Sequence, residues 1–298
     1  MINHLIKRLR RRRPAGAAIA AVLTAGLVAV AIANGARDPA GSAAAASAAS
    51  KNERSAAIAG CRGCRRPPLG YRWQYRLQGV PDISRAPNIY VVDGFDTSST
   101  TVRRIHRAKG YAVCYVNAGA WENWRGDRGS FPSELLGDTN GWPGERFLDI
   151  RKTASILPIM RKRFDLCRRK GFDAVEPDNV DAYLNDSGFP LTSADQLAYN
   201  RAIAREVHNM GLAVALKNDL EQAARLGSIF DFAIVEQCVE YDECDKIRPF
   251  TLLRKAVLVV EYNGSMRRLC ATAERRRFSG LMQTLDLDRP GTQCPRRG

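Results

Sequence analysis

From Trp73 onward the chain repeats one pattern: a short apolar run closes on a polar residue and is followed, in most cases, by apolar positions at helical spacing. The runs read as strands at Trp73 to Leu77, Ile89 to Asp93, Ala112 to Asn117, Arg146 to Ile150, Asp173 to Asp178, Ala213 to Lys217, Phe232 to Glu236, Ala256 to Glu261 and Phe278 to Gln283. Between them, a helix is expected from about Ser98 to Gly110, capped by Asp96 and Thr97, with Val102, Ile105 and Ala108 inward. Another runs from Thr153 to Gly171, with Ile156, Leu157, Met160, Phe164 and Cys167 at helical spacing. A third opens with a capping box at Ser193 to Gln196 and stops at Gly211, and a fourth opens at Asp219 with Gln222 three residues on. Alternation of this kind, with no glycine-rich phosphate loop after any strand, predicts an α/β fold of the (β/α)8 TIM barrel type. Nine strand candidates compete for eight places. Either the Trp73 or the Phe278 strand is the surplus one, because the Leu77 to Ile89 connection is short for a crossover helix.

The ends of the chain depart from this pattern. Residues 1–36 combine a basic start (Lys7, Arg8, Arg10 to Arg13), an apolar run from Ala15 to Ala33 and small residues near Ala36, the layout of an export signal. The run is also about long enough to span a bilayer, so membrane attachment through residues 15–33 is the alternative to cleavage. Residues 37–66 are rich in Ala, Ser and Gly and read as a disordered linker, residues 67–290 as a single catalytic domain, and residues 291–298 as a basic tail. The formal charge of +15 belongs to the ends: residues 67–263 carry 26 basic and 26 acidic side chains, which argues against a nucleic-acid partner. Export turns the eight cysteines toward disulfides, Cys238 with Cys244 first among them, and Cys61-Arg62-Gly63-Cys64 reads as a local disulfide or a pair of free linker thiols. The histidines, His4, His106 and His208, are too scattered for a metal site or a Ser-His-Asp triad, and no metal or cofactor is expected. A secreted or extracytoplasmic monomer is the expected form.

Chemistry concentrates at the strand ends. In Gly171 to Tyr183 an apolar strand runs into carboxylates; period two turns Glu176 and Asp178 the same way, and Pro177 places them near the end of the ladder. In a barrel these acids would meet Asp93, Asn117, Asp149, Lys217, Asn218, Glu236 and Glu261 at the face where such folds build their sites. Converging carboxylates repel one another unless protonated, paired or neutralised by a cation; Lys217 can neutralise one, and a cationic substrate could neutralise more. Two carboxylates, one to give a proton and one ionised, are what glycoside hydrolysis requires, and the same acids on Mg or Ca are the rival chemistry. Trp121, Trp124 and Trp142 lie in expected loops, where their faces could stack on sugars or simply pack the loop.

The motifs Trp73-Gln74-Tyr75, Leu77-Gln78-Gly79, Val92-Asp93, Phe95-Asp96-Thr97, Cys114-Tyr115, Ala118-Gly119, Gly141 to Glu145, Leu148 to Arg151, Val175 to Asp181, Leu216 to Asp219, Glu236-Gln237-Cys238, Glu243-Cys244 and Glu261-Tyr262 occur in one consistent order over about residues 70–290. Together they resemble glycoside hydrolase family 114, the endo-α-1,4-polygalactosaminidases. The resemblance implies a TIM barrel that cuts α-1,4-linked galactosamine polymers, whose free amines would suit an acidic mouth. It also implies that Asp178 is the nucleophile and Glu236 the general acid/base, with Asp93, Trp142, Asp149, Glu176, Asn179, Asp181, Lys217, Asn218 and Glu261 around the substrate. Gly94, where the family more often has a larger apolar residue, and Trp121, where it tends to a smaller or phenolic one, depart from the pattern and bear on subsite preference. A catalytically inactive carbohydrate-binding barrel and a hydrolase of another amino-sugar polymer are the alternatives.

Overall fold

A computed structural model describes residue 61, residues 63–84 and residues 88–295. In chain order its strands are β1 (Trp73–Arg76), β2 (Ile89–Asp93), β3 (Tyr111–Asn117), β4 (Ala120–Glu122), β5 (Leu136–Thr139), β6 (Glu145–Leu148), β7 (Ala174–Asp178), β8 (Ala213–Lys217), β9 (Phe232–Glu236), β10 (Val257–Glu261), β11 (Ser279–Met282) and β12 (Thr292–Gln293). The helices are α1 (Ser99–Arg107), α2 (Thr153–Lys170), α3 (Ser193–Asn209), α4 (Ala223–Leu226), α5 (Arg248–Leu252) and α6 (Met266–Arg276). Eight strands run parallel in the order β1-β2-β3-β7-β8-β9-β10-β11, and β12 adds antiparallel to β11. The fold is the expected TIM barrel. Side chains rather than a ladder bring β1 to the far edge: the Trp73 indole N–H donates to the Ser279 carbonyl at 3.0 Å, the Gln283 amide to the Tyr75 carbonyl at 3.1 Å, and the Gln293 amide pairs with the Trp73 backbone.

The surplus strand is neither of the two suspected ones. Trp73 and Ser279 both open barrel strands, whereas the Arg146 run is β6, the centre of an antiparallel sheet β4-β6-β5 inserted after β3. Its buried apolar run is genuine, but a strand in a sheet outside the barrel produces the same run. Two buried arginines fix this insert. Arg163 on α2 reaches the Asn117 carbonyl at 2.6 Å, Glu122 at 3.2 Å and Asp127 at 2.7 Å, and Arg125 grips Glu122 at 2.9 Å. Both guanidiniums lie over the Phe95 ring.

Helix starts shift by a residue or more from expectation because the better-placed hydroxyl wins the cap. Ser98, not Asp96 or Thr97, accepts from the Thr101 amide, and Thr192 forms the capping box with Asp195. α2 ends as expected at Gly171, whose φ of +86° closes the helix in the left-handed region. The segment opened by Asp219 is one 3₁₀ turn followed by the short α4.

The expected signal or anchor, and the linker up to residue 60, lie outside the described residues. The last part of that linker is ordered on the floor of the barrel. Arg65 pairs with Asp173 at 3.0 Å and Arg66 with Asp231 at 3.2 Å; each aspartate also binds a helix histidine, His106 at 2.9 Å and His208 at 2.8 Å respectively. At the other end, β12 and a disulfide from Cys270 to Cys294 draw residues expected in a tail into the fold. The other disulfides join Cys61 to Cys64, Cys114 to Cys167 and, as expected, Cys238 to Cys244. Gly94 has a packing reason: a Cβ there would stand 2.5 Å from the Cys114 sulfur and 2.9 Å from the Tyr115 carbonyl oxygen, space that the Cys114–Cys167 bridge occupies. Among the described residues no helix is long and apolar enough to cross a membrane.

Candidate active site

Period two decides which strand ends face the barrel axis. Trp73 and Tyr75 of β1, Ile89 and Val91 of β2, Tyr111, Val113 and Tyr115 of β3, Ala213 and Ala215 of β8, Phe232 and Ile234 of β9, and Leu258 and Val260 of β10 form the stacked interior. Continuing each row by one step reaches Asp93, Asn117, Lys217 and Glu236; β7 contributes Glu176 and Asp178 after Ala174. On β10 the step reaches Tyr262 and leaves Glu261 facing outward.

One ammonium organises the mouth. Lys217 Nζ, 2 % exposed, lies 3.1 Å from Glu176 Oε1, 3.0 Å from Asp178 Oδ1 and 3.5 Å from Glu236 Oε2, and donates to Tyr75 Oη at 2.8 Å. Burial disfavours its charge, but the three carboxylates outweigh that and raise its pKa well above the ordinary value. Three tyrosines complete the cage: Tyr75 donates to Glu176 Oε1 at 2.8 Å, Tyr115 to Asp178 Oδ2 at 2.8 Å, and Tyr262 to Glu236 Oε1. Burial and the neighbouring carboxylates push all three phenols up, so they remain neutral donors. Asn218 donates to Glu236 Oε2 at 3.0 Å and accepts from the Glu236 amide at 2.9 Å.

The carboxyls then divide. Burial pushes Glu176 up to about 7, against the pull of Lys217, and its Oε2 is buried without a hydrogen-bond partner. Asp178 and Glu236 are buried too, yet Lys217 together with Tyr115 on one side and Tyr262 and Asn218 on the other holds both below the usual carboxylate range. Near neutral pH the described residues of the site thus set one carboxyl close to its own pKa beside two ionised ones, around the Lys217 ammonium.

Other expected residues are placed differently. Asp93 faces inward, but Arg125 forks onto it at 3.1 and 2.5 Å and the amides of Phe95 and Asp96 bind it at 2.8 and 2.9 Å, so its oxygens hold a loop. Asp149 follows β6, off the barrel, and pairs with Arg151 at 2.7 and 2.8 Å, which lowers its pKa. Glu261 binds the amides of Val239 at 2.8 Å and Glu240 at 3.1 Å, anchoring the loop that follows Glu236; burial pushes it up to about 7. Asp181 is buried near Asp219, whose carboxyl burial and the Asp181 charge push up to about 8. Asn179 touches Asp178 at 3.4 Å and Asn117 at 3.1 Å. Trp142 is half-buried in the β5–β6 loop, its amide on Asn140, whose side chain lies 3.5 Å from Asn179 Oδ1.

Sequence reasoning gave no role to Tyr75, Tyr115 or Tyr262, although their inward parity and place in the quoted motifs marked them. It also missed a repeated backbone device. The residues directly after Asp178, Lys217 and Glu236, namely Asn179, Asn218 and Gln237, have φ of +59°, +50° and +59°. A left-handed residue turns the chain sharply away as soon as the functional side chain is delivered, and such strain gathers at working sites. Gly119 serves the same corner: a Cβ there would overlap the Asn179 carbonyl, and the amides of Ala118 and Gly119 bind the Asp178 carbonyl at 3.0 and 2.9 Å. Among the described residues no group of three His, Cys, Asp or Glu is arranged for a metal ion.

The sequence profile of glycoside-hydrolase family GH114 matches residues 54–297. The chain belongs to this family, and it is a glycoside hydrolase. Aspergillus fumigatus Ega3, solved as a complex with galactosamine, is 32 % identical, with a TM-score of 0.74 over 79 % of this chain and 99 % of that one. The glycoside hydrolase domain of Pseudomonas aeruginosa PelA shares the fold at 13 % identity, with a TM-score of 0.58 over 74 % of this chain and 97 % of that one. No curated protein sequence matches this GH114 chain.

Proposed function

We propose that this GH114 enzyme is an exported endo-acting hydrolase of α-1,4-linked galactosamine polymers, with Asp178 as nucleophile and Glu236 as general acid/base. The observation that carries the reading is the single Lys217 ammonium shared by Asp178 and Glu236 at the barrel mouth. Likeness to Ega3 supports the amino-sugar, and a mouth with more carboxyls than cations suits a cationic ring. Four disulfides agree with an oxidising, extracytoplasmic setting.

Spacing favours retention of configuration. The facing oxygens of Asp178 and Glu236 lie 3.0 and 3.5 Å from one nitrogen and can be no farther apart than those lengths combined. That bound leaves little room for the extra water of inverting enzymes, whose carboxyls stand roughly 6.5–9.5 Å apart. Asp178 attacks the anomeric carbon as the glycosidic C–O bond breaks and Glu236 protonates the leaving oxygen; Glu236 then takes a proton from the water that displaces Asp178. Since Glu236 is ionised in the resting site, it takes up a proton before the first step, and the rate favours acidic pH.

In this reading Asn179, Asn218 and Trp142 contact sugars, whereas Asp93, Asp149 and Glu261 act on the loops around them. Asp178→Asn and Glu236→Gln are each expected to lower the rate by at least about 10²- to 10⁴-fold while melting stays cooperative. A loss of only a few-fold would refute the assignment, and a first-formed product anomer of inverted configuration, followed by NMR, would refute the retaining route.

A further inference from the structure

The end of the barrel opposite the carboxylates carries a cavity of about 1010 Å³ between the segment before β1, the turn before β10, α6 and the start of β11. Arg72, Arg254, Arg267 and Arg277 line it, against one carboxylate, Glu274. None of the four guanidiniums pairs with a carboxylate among the described residues, and Arg72 Nε is buried without any hydrogen-bond partner. Lys255, also in the wall, is occupied by the carbonyls of Gly227 and Phe230, both at 2.6 Å. The buried Arg72 donor asks for an acceptor, Arg254, Arg267 and Arg277 are exposed beside it, and guanidinium forks match phosphate.

The same face exposes leucine. Leu69, 52 % exposed, lines the cavity, and Leu252, 67 % exposed, lines an adjoining hollow that shares Thr251, Arg277 and Phe278 with it. A free anion has no use for exposed leucines, whereas a lipid surface uses both features. The described chain also enters the fold on this side, where the Cys61 sulfur meets the His208 carbonyl at the C-terminal end of α3. The sequence before it carries the basic Lys7 to Arg13 and the apolar Ala15 to Ala33.

We propose that this face is a docking surface for anionic phospholipid, the arginines taking phosphate headgroups and the leucines the upper acyl region. The strand carboxylates at the other end would then point away from the bilayer.

The full chain is tested by co-sedimentation with phosphatidylglycerol-containing vesicles and with pure phosphatidylcholine vesicles, beside an Arg254→Gln/Arg267→Gln variant. Removing two charges is expected to weaken binding to the anionic vesicles roughly thirtyfold. Binding to neutral vesicles, which reports the N-terminal run, should not change. Unchanged melting and unchanged hydrolysis of soluble oligomers serve as the fold control, and Leu252→Ser is a second variant expected to weaken anionic-vesicle binding alone. Equal binding of parent and both variants to anionic vesicles would overturn the proposal. So would inorganic phosphate raising the melting temperature of a parent that ignores the vesicles, since the ligand would then be a free phosphoryl group.

Discussion

Replacing Lys217 by Met removes the cation that Glu176, Asp178 and Glu236 share among the described residues while keeping most of the side-chain volume. The ammonium meets three carboxyl oxygens within 3.0 to 3.5 Å. At an effective dielectric near 20, each contact of this length with an ionised carboxylate is worth roughly 5 kcal/mol before desolvation, and breaking a buried pair costs about 3–5 kcal/mol net. The folded variant can recover part of this by binding one more proton, so a carboxyl pKa in the cluster should rise by about 2–4 units. That group's folded pKa then exceeds its unfolded value, so its stabilising proton is in place at low pH and is lost as pH rises. Glu176, at about 7 in the parent, is the group placed to keep this proton, so urea denaturation of parent and variant between about pH 6 and 9 should show a stability gap that is steady up to about pH 7 and widens by about 1.4 kcal/mol per unit above it. Hydrolysis should fall by at least about 100-fold, because Asp178 loses the charge partner that keeps it ionised. A gap that is constant across this range would refute the claim that Lys217 neutralises these carboxylates in the folded protein.

Tyr262→Phe removes the hydroxyl on Glu236 and should move the Glu236 limb of the pH–rate profile to higher pH, by about 1–2 units for a charge-assisted bond of roughly 1.5–3 kcal/mol; an unmoved limb would show that Tyr262 does not hold Glu236 ionised. Gly119→Ala drives a methyl into the Asn179 carbonyl and should cost about 1–3 kcal/mol in denaturation along with a loss of rate, since the same corner holds the Asp178 carbonyl. Glu145, Glu176 and Glu261, pushed by burial up to about 7, keep protons in the fold that the unfolded chain releases, so their stabilisation is complete below the ordinary carboxyl range and disappears as pH rises through about 7. Asp149, lowered by Arg151, acts in the opposite sense and is lost in stronger acid, which puts the melting maximum at weakly acidic pH; a maximum above neutrality would contradict these shifts.

Much of this site could be read from the sequence because period two is rigid once a strand is recognised. The same rule, applied at β10, separates Glu261 from Tyr262, but a one-residue choice of strand start exchanges them, and an acidic residue in a motif draws the eye first. Asp149 was misplaced for a different reason: the apolar run of β6 is that of any largely buried strand, and nothing local says that its partners are β4 and β5 rather than the barrel. The roles of Arg125 and Arg163 depend on contacts between segments about 30 to 45 residues apart, as with Arg125 on Asp93 and Arg163 on Glu122, and no local pattern encodes them. The left-handed backbone at Asn179 and Asn218 has a weak signal in asparagine's tolerance for that region; Gln237 gives none.

The most direct test of the central claim is mass spectrometry of α-1,4-galactosamine oligomers after incubation with the parent chain and with the Glu236→Gln variant. Internal cleavage should give a ladder of shorter oligomers with the parent and intact substrate with the variant. Cleavage by both proteins would contradict the role given to Glu236, and intact oligomers with both, given demonstrated binding, would contradict the substrate.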